Sequence, residues 1–355
     1  MRRKLPTMYA ILLILLWVGG SLLVFGFAWQ MGVRKMMGSI LGFVLGFGLA
    51  PVVHELGHLC FGSLMKMECV YIKCFCFKVY TKNGKKRFGL ASPFSKDETQ
   101  MIPTKSGNME KRMIVYSLGG LIFGVAFILL VTVAALICQL FGHAEFALWG
   151  ILPYAVYLVL VNVVPFEYAS GKTDTCICLG IKKGYDAEKT MISALEIQGQ
   201  LYEGKSFAEI DERLYFDLPQ LCEDEPMFAV ILDLRYSYYI EKSEMEKAAD
   251  CINRLAYVQA YLPRAQVEKI AAELMYMHVI NGDLARAEEC GDMCRDFLRG
   301  NTATAKRVLI AYSAAYGRTD TVAALLKQAR RCLDDEKIAG IRKFEEILIE
   351  RATSV

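Results

Sequence analysis

Four stretches of the chain are apolar almost without interruption, near residues 8–29, 39–65, 113–141 and 146–166. Each is long enough to cross a hydrocarbon layer of about 30 Å, which takes ~20 residues as a helix. The pattern predicts four transmembrane helices. Between the second and third, apolar and polar residues alternate through "CVYIKCFCFKVY", and a shorter run, "RFGLASPF", follows Asn83-Gly84. β-Branched and aromatic residues on both sides of an Asn-Gly pair predict a β-hairpin within 68–102. Beyond residue 184 the period becomes helical. Three helix–turn–helix units can be read at Met227–Gln259, Arg264–Leu298 and Thr304–Leu333, with turns in "EKSE", "NGDLARA" and "GRTDTVAAL". A final helix, Glu336–Thr353, closes the series.

Alanines follow each of those turns, where paired helices must approach closely, and the spacing resembles tetratricopeptide-type repeats. The fold expected is an all-α membrane protein. Residues 1–184 form a four-span transmembrane helical bundle with a small cytosolic β-hairpin, and residues 185–355 form a C-terminal cytosolic helical-repeat domain.

Charge separates the same two parts. Through Gly180 about 17 Lys and Arg stand against about 8 acidic residues, and beyond it about 24 stand against about 30. Basic residues mark cytosolic loops. Arg2, Arg3 and Lys4 put the N-terminus inside. The segment between spans two and three, with Lys82, Lys85, Lys86, Arg87, Lys111 and Arg112, is placed inside as well. The outer loops then hold only Arg34 and Lys35, and "GHAE". Four spans return the chain to the cytosol. The first apolar run is too long for a signal peptide and no A-x-A site follows it, so a retained anchor is expected. The 12 cysteines form no metal-binding or paired pattern and read as reduced thiols. An acidic second half without a nucleotide-binding loop or nucleic-acid motif argues against nucleic-acid contact.

One polar island interrupts the second span. In "LAPVVHELGHLCFG", His54, Glu55 and His58 lie within an otherwise apolar helix. An ionisable group at bilayer depth costs about 2.5–3.5 kcal/mol on insertion scales and usually marks function. Positions i and i+4 share a helical face, so His54 and His58 can grip one ion with Glu55 beside it. This is the H-E-x-x-H arrangement, two imidazoles for Zn²⁺ and a carboxylate as general base. Zinc binding is worth on the order of 10–16 kcal/mol in small peptides, enough to offset the insertion cost. Pro51, one turn earlier, would loosen the backbone and admit water. A catalytic zinc needs a third protein ligand. His143 and His278 lie elsewhere, and "NVVPFEYASGKTDTCICLG" offers Glu167 and Asp174.

"HELGH" inside one span and "NVVP…TD" at the end of another resemble the site-2 protease family of intramembrane zinc metalloproteases, of the bacterial type. The resemblance runs from about Gly38 to Gly180. Asn162 and Pro165 match the start of the family's N-x-x-P-x-x-x-x-D-G motif. Asp174 matches its aspartate, about four residues later than usual, and Thr175 replaces the glycine. The small-residue stretch "SLGGLIFG" resembles the family's glycine-containing third core span. The resemblance implies a metalloendopeptidase that cuts membrane-embedded protein or peptide substrates, as in regulated intramembrane proteolysis or peptide maturation. His54, His58 and Asp174 would be its zinc ligands, Glu55 its general base, and Asn162 a residue that positions substrate.

It further implies a bacterial plasma membrane as the setting of this multi-pass protein, whose termini the charge count puts in the cytosol. The Val70–Val79 strand is expected to hold unwound substrate, and the repeat domain to bind a protein partner. The alternative is a catalytically inactive membrane scaffold that recruits partners through its repeats. A metal-handling membrane protein is a third reading, weakened by the lack of further His or carboxylate clusters along the spans.

Overall fold

The computed structural model describes residues 4–82, 85–92, 95–141, 145–168 and 171–354. Arg2, Arg3, the Asn83-Gly84 turn and His143 lie outside the described residues. The chain packs as two compact units, one made mostly of residues 1–185 and one mostly of residues 186–355.

The first unit contains helices α1 (Lys4–Gln30), α2 (Val33–Leu64), α3 (Met109–Leu140) and α4 (Glu145–Val163). All four are long and apolar enough to cross a membrane. Helix α2 begins well before the expected start at residue 39. Arg34 and Lys35, expected in an outer loop, therefore sit in its first turn. The reason is a local partner: Lys35 Nζ lies 3.0 Å from Oε1 of the buried Glu145, at the start of α4, and 5.2 Å from the Phe146 ring centre.

That ion pair joins the N-termini of α2 and α4, so the two helices run in the same direction. Their register continues inward. A side chain at Gly42 would strike the Ala147 backbone, and one at Gly46 would come 2.8 Å from the Ile151 oxygen. Helix α3 runs the opposite way, with Gly57 facing Gly119, where a Cβ would come 2.6 Å from the Gly57 oxygen. Backbones this close require glycine. Arg112, near the start of α3, donates through Nε to the Met65 oxygen (2.8 Å) and through Nη2 to the Lys66 oxygen (2.9 Å). Its guanidinium thus caps the carbonyl end of α2, where a cation is electrostatically favoured. Pro51 is buried and α2 continues across it.

The expected two-stranded hairpin is a four-stranded sheet of β1 (Met67–Cys74), β2 (Phe77–Lys82), β3 (Lys85–Leu90) and β4 (Glu98–Pro103), in the order β3-β2-β1-β4. The single long strand read from Cys69 to Tyr80 folds back on itself, pairing Cys74 with Phe77 and Tyr71 with Tyr80. Phe75 in the turn has φ 53°, a left-handed conformation usually left to Gly or Asn. A distant side chain holds it there. Asp97 Oδ1 accepts from Phe75 N (2.8 Å) and from the buried Lys73 Nζ (2.7 Å). After α4 come a small hairpin, β5 (Glu167–Tyr168) and β6 (Gly171–Lys172), and helix α5 (Asp174–Lys183).

The second unit is helical. It includes α6 (Asp186–Tyr202), α7 (Arg213–Phe216), α8 (Pro226–Glu241), α9 (Met245–Tyr257), α10 (Arg264–Ile280), α11 (Leu284–Met293) and α12 (Arg295–Leu298). Helices α13 (Ala303–Ala315), α14 (Thr319–Asp334) and α15 (Ala339–Ala352) complete it. Its apolar core contains a charged knot. Fully buried Arg307 reaches Glu273 (2.7 Å) and Glu345 (2.9 Å) and lies over the Tyr276 ring, while Tyr236 donates to Glu273 (2.7 Å).

Candidate functional site

His54 and His58 are one turn apart on α2, both buried, with their Nε2 atoms 3.3 Å apart. The α2–α4 register carries this turn toward the end of α4, and Asp174 returns there from beyond it. The Thr173 amide donates to the Phe166 oxygen (3.1 Å), closing the β5–β6 hairpin into a loop. Thr173 Oγ1 donates to the Val164 oxygen (2.9 Å) and accepts from the Cys176 amide (3.3 Å), capping α5. Thr175 Oγ1 donates to the Asn162 oxygen (2.8 Å). The first residue of α5 is thereby tied to the last turn of α4. The stretch between Pro165 and Asp174 includes the β5–β6 hairpin.

Asp174 Oδ2 lies 3.3 Å from His54 Nε2, and Oδ1 lies 3.5 Å from His58 Nε2. One donor atom from each of the three residues falls within 4.8 Å of the others. Glu167 is exposed on β5, paired with Lys172, and is not part of this group.

Three observations test whether this group fits a cation. First, His58 Nδ1 lies 2.9 Å from the Tyr116 carbonyl oxygen, so Nδ1 carries a proton and Nε2 is the nitrogen left for a cation. Second, Asp174 Oδ2 is buried without a hydrogen bond among the described residues. Two imidazole Nε2 atoms and a carboxylate gathered at one point, away from water, are best satisfied by a positive charge between them. Third, space is kept open beside them. A side chain at Gly120 of α3 would come 2.5 Å from His58 Nε2 and 2.8 Å from His54 Nε2. Two imidazoles and one carboxylate form a ligand set typical of zinc with one position left free. The residues present fit the ion.

Glu55 faces the same cavity and is 5% exposed. Its Oε2 accepts from Thr99 Oγ1 of β4 at 2.6 Å. The Tyr116 hydroxyl in turn donates to the Thr99 carbonyl. Tyr116 therefore connects the two halves of the site, orienting His58 with its backbone and the Glu55 partner with its side chain. The cavity has a volume of about 640 Å³ and includes Pro51, Lys96, Gln100, Tyr154, Asn162 and Lys172 in its lining. Asn162 spends its Nδ2 on the Leu158 oxygen (3.1 Å), one turn back in α4. A larger cavity of about 680 Å³, lined by Leu13, Trp17, Val156 and other residues of α1 and α4, contains none of these groups.

Thr99, Tyr116 and Gly120 were not singled out as site residues from the sequence. Gly120 belongs to a glycine stretch that reads equally well as helix packing, while Thr99 and Tyr116 stand alone without a spacing signature. No protein-family model, curated protein or solved structure matches the chain.

Proposed function

We propose that this chain is an intramembrane zinc endopeptidase, hydrolysing peptide bonds in or near membrane-spanning segments of other proteins or peptides. The observation that carries the reading is the convergence of His54, His58 and Asp174 from separate helices, with Glu55 in the same buried cavity. A scaffold has no need of a carboxylate held by Thr99 beside such a group.

His54, His58 and Asp174 would hold Zn²⁺, which when bound lowers the pKa of water toward about 7 and polarises a carbonyl. Glu55 takes the proton from the attacking water and passes it to the departing amine. Thr99 fixes the orientation of that carboxylate. Asn162, with one amide N–H bound to its own helix, offers Oδ1 to a substrate backbone N–H. The buried position of the pair excludes bulk water until substrate enters.

A membrane helix must be unwound locally before its carbonyls can be attacked, and the freed groups need partners. The Val70–Val79 stretch cannot supply them, because it falls on β1 and β2, which are the two inner strands of the sheet. Strand β4 is an edge of the sheet, and its residues Glu98, Thr99 and Gln100 line the cavity. The extended substrate would add along β4. The basic residues between α2 and α3 favour a cytosolic side for this face and for both termini, in a plasma membrane. The helix pairs of the second unit act as tetratricopeptide-like repeats that bind a protein partner.

The test is cleavage of a membrane-embedded reporter by the purified chain. Activity should be lost on chelation and restored by zinc. A chain that binds zinc tightly yet cleaves no membrane segment, in any reporter tried, would support the scaffold instead.

A further inference from the structure

We infer that the second unit carries a carboxylate-binding site between α7, α8 and α9, formed by Arg235 and Arg254, and that it takes an acidic, aromatic-containing peptide segment of another protein. A cavity of about 380 Å³ opens there, with Phe216, Leu232, Tyr239 and Cys251 in its walls and both guanidiniums in its lining.

The pairing of cations elsewhere in this unit sets these two apart. Arg307 lies on Glu273 and Glu345, Lys269 on Asp233, and Lys343 on Glu209. Arg351 caps α8 through the Ile240 and Glu241 carbonyls. The half-buried Arg235 and Arg254 have no carboxylate within ion-pair distance among the described residues, in a unit with more acidic than basic residues. Arg235 donates only Nε, to the Tyr215 oxygen (2.8 Å), and lies 5.5 Å from the Phe216 ring centre. Arg254 lies 5.4 Å from the Phe228 ring centre. Each is backed by an aromatic face, which fixes the guanidinium plane and leaves N–H donors directed elsewhere.

Two part-buried like charges sharing a cavity are costly unless an anion joins them. Burial pushes the Arg235 guanidinium down. A carboxylate accepts two parallel N–H bonds from a guanidinium, whereas a point-like cation would suit a smaller anion equally well. The other charges in the lining are exposed. Lys247 is bound to Glu244 (2.6 Å) and lies over Tyr239, and Glu246 and Asp250 sit at the rim. Those two acids disfavour a diffuse polyanion such as a nucleic acid, while a single carboxylate can pass between them. The aromatic walls account for the adjacent ring expected in the ligand.

The test uses the full chain in detergent and a short fluorescein-labelled peptide alternating Glu and Phe, amidated at its end, followed by anisotropy. Binding should fall about tenfold or more with Arg254→Gln and with Arg235→Gln, in line with a charge-assisted hydrogen bond of about 1.5–3 kcal/mol. Arg254→Lys should recover only part of it, and Arg295→Gln should change nothing. A peptide with Gln in place of Glu should bind at least tenfold more weakly to the unaltered chain, a comparison that does not depend on any variant folding. A second arm gives Gln–Phe peptides a free C-terminal carboxylate; recovered binding assigns the site to chain ends rather than to acidic side chains. Equal binding of the Glu and Gln peptides, or none of either kind, overturns the site. Neither outcome depends on zinc or on proteolysis.

Discussion

Thr99 on an edge strand donates its hydroxyl to Glu55 in the middle of an apolar helix, at 2.6 Å. The carboxylate that the sequence marks as a general base is thus oriented by a residue 44 positions away in the chain. Removing the hydroxyl without changing the shape should leave metal binding intact and impair turnover. Thr99→Val is expected to lower kcat about 10–100-fold, the usual range for an outer partner of a catalytic group, with zinc content unchanged. Zinc loss in that variant would mean that Thr99 supports the fold of the site instead.

Gly120 keeps room beside both imidazoles. Gly120→Ala should reduce zinc content strongly while the protein still inserts and purifies. Metal analysis of membrane-purified protein checks this. Stoichiometric zinc in Gly120→Ala would show that the space has another use.

Asp174 and Glu167 were both open as the third ligand from sequence, and only Asp174 lies with the imidazoles. Asp174→Ala should weaken zinc at least about tenfold in a competition titration, and Glu167→Ala should not alter it. Equal losses would make the hairpin, and not the carboxylate, the determinant.

The spans and helix pairs were legible because each carries its signal in a continuous pattern. His54, Glu55 and His58 were legible because their spacing matches one turn of helix. Failures came where a distant residue decides local structure. Phe75 adopts a left-handed turn because Asp97 holds its amide and Lys73, so alternation alone could not divide β1 from β2. The start of α2 was misjudged because Arg34 and Lys35 look like a loop until Glu145 is brought beside Lys35. Tyr116 shows the limit most clearly. Its roles toward His58 and Thr99 come from antiparallel packing of α3 on α2, which no local spacing encodes.

Cysteine reactivity should follow burial. Burial pushes the Cys251 and Cys294 thiols up to about 11, which favours the protonated, unreactive form. At pH 8 only about one in a thousand of such groups is thiolate. Among the cysteines of the second unit, exposed Cys222 should therefore be alkylated first by iodoacetamide, Cys251 later, and Cys294 only on unfolding or well above pH 10. Peptide mass spectrometry of a time course reads this directly; early labelling of the fully buried Cys294 would contradict the packing of the second unit's core.

Arg307 is the only cation reaching both Glu273 and Glu345 among the described ion pairs. Arg307→Met should leave two carboxylates buried without a cation and destabilise the second unit by about 3–5 kcal/mol. Denaturant unfolding of the full chain, followed by tyrosine fluorescence, should show a lower midpoint. Little change would mean that the core repacks or hydrates around the acids.

The most direct measurement compares the unaltered chain with Glu55→Gln on one membrane-embedded reporter, with zinc measured in both. Glu55→Gln should retain its zinc and lose cleavage by several orders of magnitude, since the amide cannot accept the proton. Equal cleavage by the two proteins, with zinc bound in both, would contradict the assignment of Glu55 and the hydrolase with it.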